Sequence, residues 1–404
     1  MQNNIKKIAL ITGSNRPIPA TRGGATQTMM THLLDVNEKQ QKNRFVVYSY
    51  YDSEALQKSQ YYQCSEFRYY RANYCFDWLY SLPSRFLRKI TRGKTYIKNN
   101  FVRWCIKQIR SDKPDVVVIE GNYFQTLQLA SAINYPIILH MHIDGLHIGT
   151  DNAANIFSSC KAIFAISDYC RNRISQIDPL NSNKVITVRN TIDTEHFNVF
   201  SRSEFRKTIR NKYAICDSDK VFIYCGRLSK EKGVKEAIQA FIALNEENIA
   251  LLIVGSSAYK DGRKTSYVKM LEKLAKNSKK KIIFTGYIPQ NELPNYYAAA
   301  DISIVPSKCQ EAAGNVIIEA LSCGVPVITT TQGGIPEYAD TQACSLIKVN
   351  DNFIQSLTKA MTDMIDNEEE FKQKKACART IALKYDKQHY YHNFCMAVND
   401  ALRR

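Results

Sequence analysis

The chain has 404 residues, 45% of them hydrophobic and 23% charged, and carries a formal net charge of +17. That length allows two domains of ordinary size with real cores, and the balance excludes a disordered or fibrous chain. No apolar run approaches the ~20 residues of a membrane-spanning helix.

Twelve cysteines occur without close pairing, and the chain contains neither C-x-x-C nor N-x-S/T. The pattern fits a reducing cytoplasm and argues against a zinc ribbon or a thioredoxin-like site. The opening MQNNIKKIALITGS has too short an apolar core for a signal peptide and runs directly into strand pattern, so a cytoplasmic chain is expected.

Residues 5–12 form the first predicted strand, followed by a loop over 13–24 and a helix over 25–36. Gly23 and Gly24 open that helix as in nucleotide-binding folds, although the loop is not G-x-G-x-x-G. Gly93-Lys94-Thr95 lacks the upstream glycine of a P-loop. A second strand is predicted over 45–50. Charge then concentrates: between Tyr61 and Arg110, eleven Lys and Arg stand against Glu66 and Asp77, interleaved with aromatics such as Tyr74, Trp78, Phe86 and Trp104. This stretch is predicted to be a helical insertion. Its composition suits a surface of anionic lipid, a nucleic acid, or a solvated helical face with its aromatics in the core. Nucleic acid fits least, because no recognised binding module accompanies the charge.

Strands follow over 115–120, 135–142, 162–166 and 185–188, with a helix over 124–133 and another over 167–177 capped by Ser167. Strands alternating with helices indicate a doubly wound parallel sheet. Strand alternation places His140 and His142 on one face, and with Asp144 they read H-x-H-x-D, the start of a metallo-β-lactamase-type metal motif. Gly145 stands where that motif needs a histidine, and no second His/Cys cluster completes it.

The second half begins with a strand over 221–225, then Gly226, Arg227, Lys232 and Gly233. Two cations beside a glycine turn at a strand's C-terminal end suit a diphosphate. Asp217-Ser218-Asp219 precedes the strand and reads as a polar turn. Further strands are predicted over 250–254, ending at Gly255, over 281–286, leading to Ile288, and over 301–305. The next loop enters a helix over 315–323 through Ala312-Ala313-Gly314-Asn315, all small, so a ligand can approach the helix N-terminus, an anion site. Glu311 and Glu319 bracket that entry, and a carboxylate can hold vicinal hydroxyls. Gly324 stops the helix before a strand over 325–329. A last small strand over 345–349 precedes a helical, basic end.

The run P-S-K-C-Q-E-A-A-G-N-V-I-I-E, closed by G-V-P-V-I, resembles the E-x7-E signature of retaining GT-B-fold glycosyltransferases of family 4 (glycosyl transferases group 1). Gly226-Arg227 and Lys232-Gly233 match that family's G-R-x4-K-G, and residues 188–193 resemble its P-N-G-V-D hinge with Arg and Thr in place of Pro and Gly. Gly255-Ser256-Ser257 departs from the usual G-D-G.

The resemblance implies two Rossmann-like α/β domains facing across a cleft. These would be an acceptor-binding domain over 1–195, a nucleotide-sugar domain over 196–385, and a terminal helix over 386–404 crossing back to the first. It implies metal-independent, retaining transfer of a hexose-type unit from a nucleotide diphosphate sugar, UDP-linked by family habit. The acceptor would be a lipid-linked or polysaccharide species of bacterial surface glycan assembly, met at the inner face of the cytoplasmic membrane. Arg227, Lys232 and the backbone from Ala312 through Ala313, Gly314, Asn315 and Val316 would meet the diphosphate, and Glu319 the ribose. Glu311 and His142 would orient the sugar, while Gly226, Gly255 and Ile288 would line the donor and the Gly23-Gly24 loop would lie over it. No cofactor beyond the donor is implied. Two alternatives stay open: a non-catalytic partner of the same fold, and a metal-dependent hydrolase built on His140 and His142.

Overall fold

The structure is a computed structural model, and it describes residues 5–72, 99–199, 203–257 and 264–404. The chain divides into two compact units, residues 1–190 with 387–404, and residues 191–386. Each is built on its own parallel sheet.

In the first unit the strands are β1 (Lys6–Thr12), β2 (Asn43–Tyr50), β3 (Ser65–Tyr70), β4 (Val116–Glu120), β5 (Ile137–Met141), β6 (Ala162–Ala165) and β7 (Val185–Thr187). They lie in the order β3-β2-β1-β4-β5-β6-β7, and each neighbouring pair is parallel. Runs such as Val116 to Ile119 are apolar without alternation because helices cover both faces of such a sheet. Ile8, Leu10, Val47, Val118 and Phe164 pack on one face against Met30 and Leu33 of the helix Ala25–Gln40 and Phe394 and Val398 of the helix Lys387–Arg403.

The basic-aromatic stretch differs from the helical insertion expected of it. Ser65–Tyr70 is the edge strand β3, and Asn100–Asp112 is a helix. Phe101 stacks on Tyr50 with ring centroids 4.4 Å apart, and Trp104 lies 5.6 Å from Tyr70, so these aromatics serve packing. Arg68 is bound to Asp112 and Glu66. Residues 73–98, with Arg85, Arg88, Lys89 and Arg92, lie outside the described residues.

The second unit holds β8 (Lys220–Cys225), β9 (Ile249–Val254), β10 (Lys281–Gly286), β11 (Ile302–Val305), β12 (Val327–Thr330) and β13 (Cys344–Ile347). Their order is β10-β9-β8-β11-β12-β13, again all parallel. Strand order reverses between β8 and β11, and in open α/β sheets the ligand crevice opens beyond the C-terminal ends of the strands at that reversal. At their opposite ends Asp301 fastens the two strands. Its carboxylate accepts from the Val221 backbone N–H at 2.8 Å, from Arg210 at 2.9 Å and from Arg206 at 2.9 Å.

Candidate active site

At the reversal in the second unit, two loops are pressed together. Gly233 has φ 70°, and a Cβ there would sit 1.9 Å from the Pro306 carbonyl oxygen, so only glycine fits. Gly226 (φ 151°) and Gly255 (φ 144°) meet in the same way, a Cβ at Gly255 falling 1.9 Å from the Gly226 carbonyl oxygen. The loop after β8 thereby lies directly against the ends of β9 and β11.

Side chains complete the junction. Lys232 Nζ donates to Glu311 Oε1 at 2.5 Å, and Ser307 Oγ donates to the same oxygen at 2.7 Å. Lys308 Nζ donates to Glu236 Oε1 at 2.5 Å, and the Lys308 backbone N–H donates to the Glu231 carbonyl at 2.8 Å. Arg227 reaches toward solvent, 61% exposed, with its guanidinium 3.3 Å from Glu231. Arg227 and Lys232 thus flank one loop, Lys232 held inward and Arg227 outward.

Just beyond Glu311, the helix Asn315–Ser322 begins at Gly314 with no side-chain cap and no acid in its first turn. A side chain at Gly314 would collide with Tyr338, 2.8 Å from its Cβ position, so the small-residue entry is enforced by packing. Ala312, Ala313, Asn315 and Val316 are half-buried around it, and Ile288 packs against the core beneath. Glu319 lies one turn on from Asn315 but points inward: it is 9% exposed, and the Tyr297 hydroxyl donates to it at 3.4 Å. Burial pushes its carboxyl up to about 7, and the Tyr297 bond pulls the other way.

In the first unit, Gly23 (φ 68°) and Gly24 (φ 111°) lead into the helix Ala25–Gln40, again without a side-chain cap. His140 and His142 share one face, ring centroids 4.2 Å apart. Their partner is not Asp144, which is bound by Arg173 at 2.8 Å, but Glu120 at the end of β4. Glu120 Oε2 lies 2.6 Å from His142 Nε2 and 3.1 Å from His140 Nδ1. The metal-ligating atoms of these three side chains fall within 4.8 Å of one another. Burial would raise the Glu120 carboxyl, but the two imidazoles overcome it and hold the group at about 2. Burial and the neighbouring His140 depress His142. Glu120 was not singled out from the sequence. Its signal was a lone acid closing an otherwise apolar buried strand.

Two doubly wound parallel sheets in these strand orders, the second carrying a cation-bearing glycine loop, a carboxylate and an uncapped helix entry at its switch point, are those of a GT-B fold. Residues 205–381 match the family model described as Glycosyl transferases group 1, and the second unit is a domain of that family. Over 373 residues, 88% of this chain and 84% of its own length, "Putative glycosyltransferase YtcC" of Bacillus subtilis (strain 168) is 25% identical. The lipopolysaccharide 1,2-N-acetylglucosaminetransferase of Salmonella typhimurium (strain LT2) is 35% identical over 133 residues, 32% of this chain and 35% of its own. Among solved structures, Anabaena Alr3699/HepE in complex with UDP superposes with a TM-score of 0.73 at 17% identity, covering 98% of this chain and 100% of that one. Among the described residues no helix is long and apolar enough to cross a membrane.

Proposed function

We propose that the protein transfers a hexose-type unit from a nucleotide diphosphate sugar, UDP-linked, to an acceptor hydroxyl with retention at the anomeric carbon. The observation that carries this reading is the Lys232–Glu311 contact, which joins the loops after β8 and β11 where the strand order reverses. As the bond from the anomeric carbon to the diphosphate oxygen breaks, negative charge grows on that oxygen and must be met by donors already in place. Lys232, Arg227 and the backbone at Ala313, Gly314 and Asn315 take that role, so no metal is needed. Glu319 holds the ribose, Glu311 orients the transferred sugar, and His142 accepts from one of its hydroxyls.

The acceptor is proposed to be lipid-linked. The Salmonella relative's name specifies a lipopolysaccharide transferase, and the basic residues between 73 and 98, among them Arg85, Arg88, Lys89 and Arg92, suit an anionic membrane surface by their charge. Thermal shift across UDP-, GDP- and dTDP-sugars tests the donor. A UDP-sugar should raise the melting temperature in a concentration-dependent way that is weakened in Lys232→Ala. No shift with any nucleotide sugar would count decisively against a donor site.

A further inference from the structure

The Glu120–His140–His142 cluster is left largely unused by the transfer reading, and its geometry separates two possibilities. Two ligands of one tetrahedral zinc ion, each at ~2.0–2.1 Å, stand about 3.3 Å apart. Glu120 Oε2 and His142 Nε2 are 2.6 Å apart, a hydrogen-bond distance, and His140 Nδ1 is 3.1 Å from the same oxygen. Glu120 and His142 are therefore hydrogen-bonded to one another, with His140 alongside and making no hydrogen bond through either ring nitrogen.

One carboxylate oxygen facing one ring nitrogen fixes which nitrogen carries the proton. Glu120 is 1% exposed and held by its position as the last residue of β4, in register with His140 of β5. Gly13 packs on its backbone, a Cβ there falling 1.9 Å from the Glu120 carbonyl oxygen, which fixes where the main chain places this residue. With Nε2–H committed to Glu120, the acceptor lone pair of His142 sits on Nδ1. That atom is buried and has no hydrogen-bond partner, as is true of Glu120 Oε1 and both ring nitrogens of His140 beside it. A buried acceptor left unmade is costly, which makes it a place for an incoming O–H to bind. Phe164 and Phe394 lie against His140, and Tyr390, from the same helix as Phe394, is a further titratable group near Glu120 among the described residues.

We infer that Glu120 is a positioning residue for His142, fixing the neutral Nε2–H tautomer whose Nδ1 accepts a hydrogen bond from a substrate hydroxyl. The substrate half rests on the reading that His142 meets the transferred sugar; the tautomer half does not.

Nitrogen-15 NMR of the histidine-labelled full chain tests it, with His142 assigned by its loss in His142→Phe. The wild type should show His142 protonated at Nε2 alone. Glu120→Gln, whose amide can donate as well as accept, should show a mixture of tautomers and a fall in donor-side kcat/KM on the order of tenfold or more. An Nδ1–H tautomer in the wild type, or an unchanged spectrum in Glu120→Gln, overturns the inference. So does a shift of both imidazoles with one equivalent of zinc, which would make the cluster a metal centre. Undiminished transfer by His142→Phe sinks the sugar contact, with the carboxylate lock then judged on the wild-type and Glu120→Gln spectra.

Discussion

Lys232 Nζ and Glu311 Oε1 meet at 2.5 Å although 79 residues separate them in sequence. The pair adds an electrostatic tie between the loops after β8 and β11, which the Lys308 N–H to Glu231 carbonyl bond also joins. Glu311 both holds the ammonium in place and offsets its charge.

Removing either partner should therefore do different things. Lys232→Ala takes away a fixed donor to the leaving diphosphate and should lower kcat on the order of 10²–10³, about 3 kcal/mol in the barrier. Glu311→Gln frees the ammonium but misplaces it and should cost less. The double variant should be no slower than Lys232→Ala, because residues acting as a unit are non-additive. Release of nucleotide diphosphate, measured on protein with an unchanged melting curve, reads all three. A Lys232→Ala enzyme of normal turnover would remove lysine from the mechanism.

Much of this junction was legible locally. Gly226, Gly233 and Gly324 mark turns where backbone geometry or contact demands them, and the apolar runs of β4, β5, β8 and β9 are continuous because both faces are covered. What escaped depends on distant partners. The helix predicted over 25–36 runs on to Gln40, in company with Asn37, which is buried and whose side chain exchanges two hydrogen bonds with the backbone of Asn43. β3 hides in a basic stretch because an edge strand needs little apolar alternation. Glu319 reads as a carboxylate bracketing the helix entry, and its burial against Tyr297, from another helix, is invisible in the local sequence. Glu120 and His142 are 22 residues apart and become neighbours only through the pairing of β4 with β5.

Glu319 leads to a prediction about pH. Its carboxyl is raised from an ordinary value of 4.5 to about 7 by burial. A group with a raised folded-state pKa contributes its full stability below the unfolded value, and that contribution is lost as pH climbs through the folded one. Across this window the loss amounts to about 3 kcal/mol. Wild-type protein should thus weaken between pH 5 and pH 8, and Glu319→Gln should lack that part of the slope, overtaking the wild type at pH 8. Urea midpoints at three pH values measure it. If Glu319 takes the ribose as proposed, nucleotide affinity should move the opposite way in the wild type, rising with pH as the carboxyl ionises. Parallel slopes in the two proteins would show that the carboxyl is not held neutral.

The last prediction concerns what keeps β8 and β11 together. Arg210 is fully buried, and its guanidinium donates to Asp301 and to the carbonyl oxygens of Ala299, Cys216, Asp217 and Asp219. Arg206 binds the other oxygen of Asp301 but is 36% exposed. Truncating Arg210 strips a buried donor from several carbonyls and from Asp301, which keeps Arg206 and the Val221 N–H, whereas a half-exposed pair is partly replaced by water. Arg210→Ala should therefore cost about 3–5 kcal/mol of unfolding free energy, and Arg206→Ala about 1 kcal/mol or less. Denaturant titration of both variants gives the ordering. Asp301 lies at the opposite end of the strands from Gly226 and Pro306, so the folded fraction of Arg210→Ala should still bind nucleotide with wild-type affinity. Equal losses in the two variants would mean that solvent reaches the Arg210 guanidinium, and a loss of nucleotide affinity in the folded fraction would mean that the strand ends are coupled along their length.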